Sequence, residues 1–332
     1  MAFFKYKEIL FTPLVHSVET LSYVENEFQL LDDDTVVVAY PKSGTHWMAE
    51  ILALILSHGD PSWVQKVPLW ERAPWIEMDD HLQIALKNPS PRILNTHLPF
   101  QLFPKSFLHS KAKIVCTLRN PRDVMVSTYY FRKGHKDCND LETVEEFMES
   151  FLSGEVGYGS WFDHVKGWVE MKERANIFFI TYEELQQDLR GSVQKICHFL
   201  GKELKQPTDE SVVENASFHK MKDNKMSNFS LIPQSIFDQT KAKFMRKGKN
   251  IGVPRNKATM LHARGEEPFS FSVDVFCLTE KANPQLGQKV GTVCLISYGS
   301  LCATSHLCLA LLHGCPNQNK RCSENKGMPV RF

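Results

Sequence analysis

The 332-residue chain has almost no excess of charge of either sign: 39 Lys plus Arg stand against 38 Asp plus Glu, a formal net charge of +1. That balance disfavours nucleic acid as a partner bound through general phosphate attraction, while leaving room for a local anion site. Cysteine is sparse through most of the chain, with only Cys116, Cys138 and Cys197, widely separated, in residues 1–252. No disulfide framework is expected there, and a reducing, cytoplasmic setting is. The other six cysteines, Cys277, Cys294, Cys302, Cys308, Cys315 and Cys322, are 17, 8, 6, 7 and 7 residues apart. None forms the close pair of a structural zinc site, so no metal is expected, although His306, Cys308, His313 and Cys315 cluster loosely. A secretory signal is missing, since charges at Lys5, Lys7 and Glu8 are followed by no long apolar stretch or small-residue cleavage site. Long apolar runs are missing too. Val290 to Leu312 is uncharged, but Gly291, Gly299 and several Ser, Thr and Cys break it, and a membrane span is not expected. No internal repeat is present.

What remains is an ordinary globular composition, 42% hydrophobic and 11% aromatic, on a chain long enough to bury a sizeable core. Thr35 to Tyr40 is a short β-branched run between three aspartates and Pro41, which reads as a buried strand entering a tight turn. From His46 to Leu56 the apolar positions recur at helical spacing with no internal Pro or Gly. The unit is strand, glycine loop, helix. Further strands are expected at 92–96, 113–118 and 176–181, and helices at 121–132, 143–152, 161–174 and 189–200, the last ended by Gly201. The alternation predicts an α/β fold, a single domain with a central parallel sheet flanked by helices over residues 1–252. Residues 253–332 carry nine Lys or Arg and five Asp or Glu, which leaves 1–252 at 30 minus 33, or −3. They show no sustained period and are expected to form an irregular, cysteine-rich tail.

The loop Tyr40-Pro41-Lys42-Ser43-Gly44-Thr45-His46-Trp47 is the strongest chemical signal. Backbone amides freed by a small-residue turn, a helix N-terminus and one Lys make a receptor for a phosphate-like anion. The nucleoside-triphosphate loop places Lys after its second Gly, whereas Lys42 precedes Gly44, so a nucleotide kinase is disfavoured.

This loop resembles the 5′-phosphosulfate loop of the cytosolic sulfotransferases. Arg119-Asn120-Pro121-Arg122-Asp123 with Ser127 is similar to that family's 3′-phosphate segment, and Arg246-Lys247-Gly248-Lys249-Asn250-Ile251-Gly252 to its closing loop. Trp70 to Trp75, Gly159 to His164 and Lys225 to Asn228 look closest to the hydroxysteroid, or alcohol, branch. The likeness runs from about the N-terminus to Gly252. Relatives continue with Asp-Trp-Lys and a dimer-contact motif, for which Val253-Pro254-Arg255 and the following tail have no counterpart, so a homodimer is left open.

The resemblance implies a P-loop-like fold and a co-substrate, 3′-phosphoadenylyl sulfate (PAPS), with no metal. It assigns His97 as catalytic base and Lys42 as the cation at the breaking bond. The 5′-phosphate would lie on Lys42, Ser43, Gly44, Thr45, His46 and Trp47, and the 3′-phosphate on Arg119, Ser127, Arg246, Lys247 and Gly248. Trp47, Tyr182, Ser217, Phe218 and Met221 would border the adenine. Candidates for the wall of a small lipophilic hydroxyl-bearing substrate, a steroid or another alcohol, are Trp70, Trp75, Phe131, Tyr158 and Phe229. His46 stands where relatives often carry Thr or Asn, Arg132 where they carry an aromatic, and Asn95 where the phenol-directed branch carries Lys. The chemistry demands such groups: a base near neutral pKa, about 6.5 for unperturbed imidazole, and cations for the leaving phosphate. The competing expectation is a binder of the same nucleotide, catalytically impaired by the altered C-terminal part.

Overall fold

The computed structural model describes residues 3–135 and 143–246, with the backbone of 275–278 and 293–296. The strands are β1 (Phe4–Tyr6), β2 (Ile9–Phe11), β3 (Thr35–Ala39), β4 (Ile93–Thr96), β5 (Lys113–Leu118), β6 (Ile177–Thr181), β7 (Val275–Leu278) and β8 (Val293–Ile296). The helices are α1 (Val18–Asn26), α2 (Thr45–Leu56), α3 (Ser62–Lys66), α4 (Leu69–Arg72), α5 (Asp79–Lys87) and α6 (Pro121–Arg132), then α7 (Val144–Ser153), α8 (Trp161–Val169), α9 (Tyr182–Gln187), α10 (Leu189–Leu200), α11 (Thr208–Asn215) and α12 (Phe218–Asp223).

The four strands β3 to β6 form a parallel sheet in the order β4-β3-β5-β6. All five residues of β3 are buried, as strands covered on both faces must be. Their side chains alternate. Val37 joins a cluster with Met48, Leu52, Val115, Ile180 and Ile196, while Val36 and Val38 join Leu94, Ile114, Cys116 and Trp168 on the other face. The chain runs from β3 to β4 on one side and then returns to β5 on the other, so the C-terminal end of β3 lies at the point where strand order reverses. In open α/β sheets that is where the crevice for a ligand opens.

Local chemistry sets the ends of the helices. Asn120 caps α6 by accepting from the Arg122 N–H, with Pro121 in the first turn, and Gly201 ends α10 in the left-handed region. The helix expected at 161–174 stops at Val169 instead. Its periodicity continues, but Met171, Lys172 and Arg174 donate to residues three back, Trp168, Val169 and Met171, and this tighter turn delivers the chain to β6. Two compact units are present, residues 1–248 and 249–332. Within the tail read as irregular, β7 and β8 pair antiparallel, Val275 opposite Ile296. The loose cysteine and histidine cluster around Cys308 lies outside the described residues.

At the other end of the sheet, Asp34 takes two bonds from the buried Arg92, one of them from Nε at 2.9 Å. Arg92 also donates to the carbonyls of Ala85 and Gln29. Asp34→Ala leaves that guanidinium buried without its counter-charge and is expected to lower stability by about 3–5 kcal/mol. A urea midpoint that does not move would contradict the assignment.

Candidate active site

Each strand of the parallel sheet ends in a residue that belongs to one crevice. Lys42 follows β3, His97 follows β4, Arg119 follows β5 and Tyr182 follows β6. The turn after β3 is tight: Lys42 has φ 69° and Gly44 φ 104°. Only glycine fits at 44, because a Cβ there would lie 2.8 Å from the Tyr182 ring as well as strain the backbone.

The Lys42 ammonium lies 3.9 Å from the ring centre of Phe131 and 4.7 Å from that of Phe244, a cation held against aromatic faces. Burial pushes its pKa down from the ordinary lysine value to about 7, with Arg119 and Arg246 pushing the same way. Arg119 donates to the Lys42 carbonyl at 2.7 Å and lies over the Tyr182 ring at 4.1 Å. Arg246 stacks on Tyr130 at 4.6 Å. Around these cations Ser43 Oγ, Thr45 Oγ1, Thr117 Oγ1, Arg119 Nε and Arg246 Nη1 are buried with no hydrogen-bond partner among the described residues. Donors buried without acceptors are costly in any fold, and here they accompany three cations. The donor set fits a polyanion.

Beside them the Trp47 indole donates to the Ala216 carbonyl at 2.8 Å and meets the Tyr182 ring edge at 5.4 Å. Ser217 caps α12, which starts with half-buried Phe218 and contains buried Met221. Trp47 and Tyr182 thus pack beside Arg119, and Phe218 lies two residues beyond the Ala216 carbonyl that receives the Trp47 bond. Ser127 is half-buried on α6; Lys247 and Gly248 lie outside the described residues.

His97 is held on every side. Its backbone N–H donates to Glu77 Oε1 at 2.8 Å, and its carbonyl accepts from His164 Nε2 at 3.1 Å. Its Nδ1 lies 2.6 Å from the Ala39 carbonyl. A carbonyl only accepts, so Nδ1 carries the proton and Nε2 the free lone pair. Burial pushes the imidazole down to about 4, against the opposing hydrogen bond to Ala39, so it is neutral at physiological pH. The carboxyl of Glu77 is pushed up to about 7 by burial. The Tyr158 hydroxyl lies 3.4 Å from it and 2.8 Å from His16 Nε2. Tyr158 and Phe229 both have φ 68°, backbone strain of the kind that gathers at functional sites.

Four of the five wall candidates surround these groups. Tyr158 meets the His97 ring edge-on at 5.2 Å, and the Trp75 indole donates to His97 Nε2 at 3.2 Å. Phe131 stacks on Phe237 at 5.0 Å, and Phe229 on Phe244 at 4.1 Å. Trp70 packs instead against the apolar cluster around α2. The His46 ring lies 5.1 Å from Trp75 and 4.7 Å from Phe244, and burial holds its pKa well below the ordinary value. Two departures from the family pattern point elsewhere: buried Asn95 donates to the Ala73 carbonyl at 2.6 Å, and Arg132 lies over the Phe147 ring at 4.8 Å.

Sequence reasoning missed Phe244, Tyr130, Thr117, Glu77 and His16. Phe244 was within reach, since it stands two residues before Arg246. Glu77 is 20 residues from the histidine it supports, and nothing in its surroundings marks it.

A family model for the sulfotransferase domain matches residues 32–254. The chain belongs to the sulfotransferase family. It is 52% identical to mouse (Mus musculus) sulfotransferase 2B1 over 246 residues, 74% of this chain and 73% of that one. To the 3-beta-hydroxysteroid sulfotransferase of Cavia porcellus it is 48% identical over 243 residues, 73% of this chain and 84% of that one. Among solved structures it is similar to mouse sulfotransferase SULT7A1 complexed with PAP, at 32% identity and a TM-score of 0.64, over 79% of this chain and 90% of that one. Retinol dehydratase in complex with androsterone and PAP follows at 25% identity and a TM-score of 0.63, over 70% of this chain and 78% of that one.

The depressed pKa of Lys42 has a consequence for stability. Between pH 7 and about 10.5 the folded chain binds fewer protons at this residue than the unfolded chain, so stability rises with pH across that window, and below pH 7 the full cost of burying the charge remains. Lys42→Met removes the buried charge. It is expected to melt higher than the parent at pH 7, by about 2–4 °C for each kcal/mol regained, and the difference is expected to shrink as pH approaches 10. Parallel melting curves that keep a constant offset over this range would refute it.

Proposed function

We propose that this sulfotransferase moves a sulfuryl group from 3′-phosphoadenylyl sulfate to the hydroxyl of a small lipophilic acceptor, a steroid or another alcohol. One observation carries the reading: three cations, two of them with an unpartnered buried N–H, and three unpartnered buried hydroxyls gather beside a neutral histidine whose accepting nitrogen is met by the Trp75 indole of an aromatic wall. The names of the relatives, hydroxysteroid sulfotransferases and a retinol dehydratase holding androsterone, agree with such an acceptor. PAP in the solved neighbours agrees with such a donor.

In this reading the loop from Lys42 to Trp47 holds the 5′-phosphate, and Arg119, Ser127 and Arg246 hold the 3′-phosphate, where guanidinium grips two oxygens at once. Trp47, Tyr182 and Phe218 border the adenine, and flat rings stack on a flat base. His97 takes the proton of the acceptor hydroxyl at Nε2. Lys42, recharged by the anion beside it, stabilises the negative charge that grows on the leaving phosphate oxygen. Phe131, Trp75, Tyr158 and Phe229 exclude water and match an apolar acceptor. No helix among the described residues is long and apolar enough to cross a membrane, and the scattered thiols of residues 1–252 support a cytoplasmic enzyme.

The test is transfer of labelled sulfate to a panel of steroid, bile-acid and phenol acceptors. The wild-type chain is expected to prefer alcohols, and His97→Ala to lose about 10²- to 10⁴-fold in kcat while still binding adenosine 3′,5′-bisphosphate. A wild-type chain that binds the bisphosphate but sulfonates none of the panel, or a His97→Ala variant at full rate, would overturn the reading.

A further inference from the structure

Trp75 stands where the acceptor hydroxyl is needed. Its indole Nε1–H donates to His97 Nε2 at 3.2 Å, the nitrogen left with a free lone pair once Nδ1 serves the Ala39 carbonyl. His97 cannot give way, being tied through its N–H to Glu77, its carbonyl to His164 and its ring to Ala39. The backbone around Trp75 is pinned as well: the Asn95 N–H donates to the Pro74 carbonyl at 2.8 Å, and the Ile76 N–H to the Asn95 carbonyl at 3.0 Å. The indole is 4% exposed and packed between the rings of His46 at 5.1 Å and His81 at 5.8 Å, with its hydrogen bond to His97 the one it makes among the described residues, so any opening of the pair falls on the indole and not on His97.

An indole N–H only donates, and Nε2 in this tautomer only accepts. A hydroxyl does both. We propose that the acceptor hydroxyl inserts between the two rings, its oxygen accepting from Trp75 Nε1–H while its O–H donates to His97 Nε2, so that Trp75 is a catalytic residue that aims the nucleophile. The inference rests on the sulfotransferase reading above, with His97 as base.

The four tetrahedral directions of the hydroxyl oxygen are then all assigned: its own carbon, the proton on His97, one lone pair on the indole N–H, and the other lone pair on sulfur. The new oxygen–sulfur bond forms from that second lone pair. The O–H electron pair stays on the oxygen as the proton passes to Nε2. The bond from sulfur to the phosphate oxygen breaks, and its electron pair leaves on that oxygen beside Lys42. Charge and atoms balance with no further reactant. Two hydrogen bonds of about 2.8 Å at a tetrahedral oxygen need the ring nitrogens about 4.6 Å apart. The indole therefore has to swing outward by about 1.4 Å.

Insertion also selects the substrate class. A ketone of the same shape accepts from Trp75 but offers nothing to Nε2, and a hydrocarbon satisfies neither ring. A buried polar pair designed around a hydroxyl rejects analogues that lack it.

Two variants test this, the second of which replaces only the N–H. Trp75→Phe keeps an aromatic ring, and β-(3-benzothienyl)alanine at position 75 keeps the bicycle with sulfur in place of N–H. Both are expected to lose on the order of 10-fold or more in kcat with a 3-hydroxysteroid. In the sulfur analogue the melting temperature stays within about 2–4 °C of the parent, and the Kd for adenosine 3′,5′-bisphosphate within about twofold. Its preference for the hydroxysteroid over the matched ketosteroid, read by competition, narrows. A sulfur analogue that turns over within about twofold of the parent overturns the insertion and leaves the sulfotransferase reading standing. An active His97→Ala variant overturns both.

Discussion

The whole site depends on keeping three positive groups together where the fold has little reason to want them. Lys42 lies half-buried against two phenylalanine rings, with Arg119 and Arg246 both disfavouring its charge. Aromatic faces and backbone carbonyls hold these groups, the latter through the bond from Arg119 to the Lys42 carbonyl. Such partners stabilise a cation without neutralising it, so the charge remains available to a bound anion. Holding these groups together is costly, and in the proposed reading a bound polyanion offsets that cost.

Sheet topology makes this convergence possible. Because β3 lies between β4 and β5, the loop carrying Lys42 is flanked by the strand ends that carry His97 and Arg119. Backbone hydrogen bonds fix all three relative to one another. The same scaffold treats the two reacting ends oppositely. At the β4 end, burial keeps His97 neutral and the Ala39 carbonyl selects which nitrogen holds the proton. At the β3 end, burial and like charges leave Lys42 poised to gain a proton as an anion arrives. Two titratable groups pushed away from their ordinary values in one place are what the proposed division into a base and a charge sink requires at neutral pH.

The fold was legible wherever a local rule acted alone. Strand β5 and helices α6 and α10 begin and end where the sequence indicates, because the β-branched run, Pro121 and Gly201 are short-range signals. Helix α8 ends early because the path to β6, and not its own periodicity, decides where it stops. Strands β7 and β8, four residues each, stand among the Gly, Pro, Asn and Ser on which the tail reads as irregular. In the proposed site, Lys42, His97 and Arg119 carry a local motif that the sequence displays, while Glu77, His16 and Thr117 join it only through contacts made by folding. Trp70 and Trp75 sit in the same stretch of sequence, yet only Trp75 reaches His97. The isolated bridge from Trp75, outside any strand, to Asn95 of β4 holds Trp75 beside His97.

The central claim is that two separate anion cradles grip opposite ends of one nucleotide. Calorimetric titration with adenosine 3′,5′-bisphosphate and with adenosine 5′-monophosphate near pH 7.5, in buffers of different ionisation enthalpy, tests it most directly. The account predicts that the bisphosphate binds at least about 100-fold more tightly, as charge-assisted bonds from two guanidiniums require, with net proton uptake as Lys42 regains its charge. Equal affinities for the two nucleotides, with no proton taken up, would contradict it.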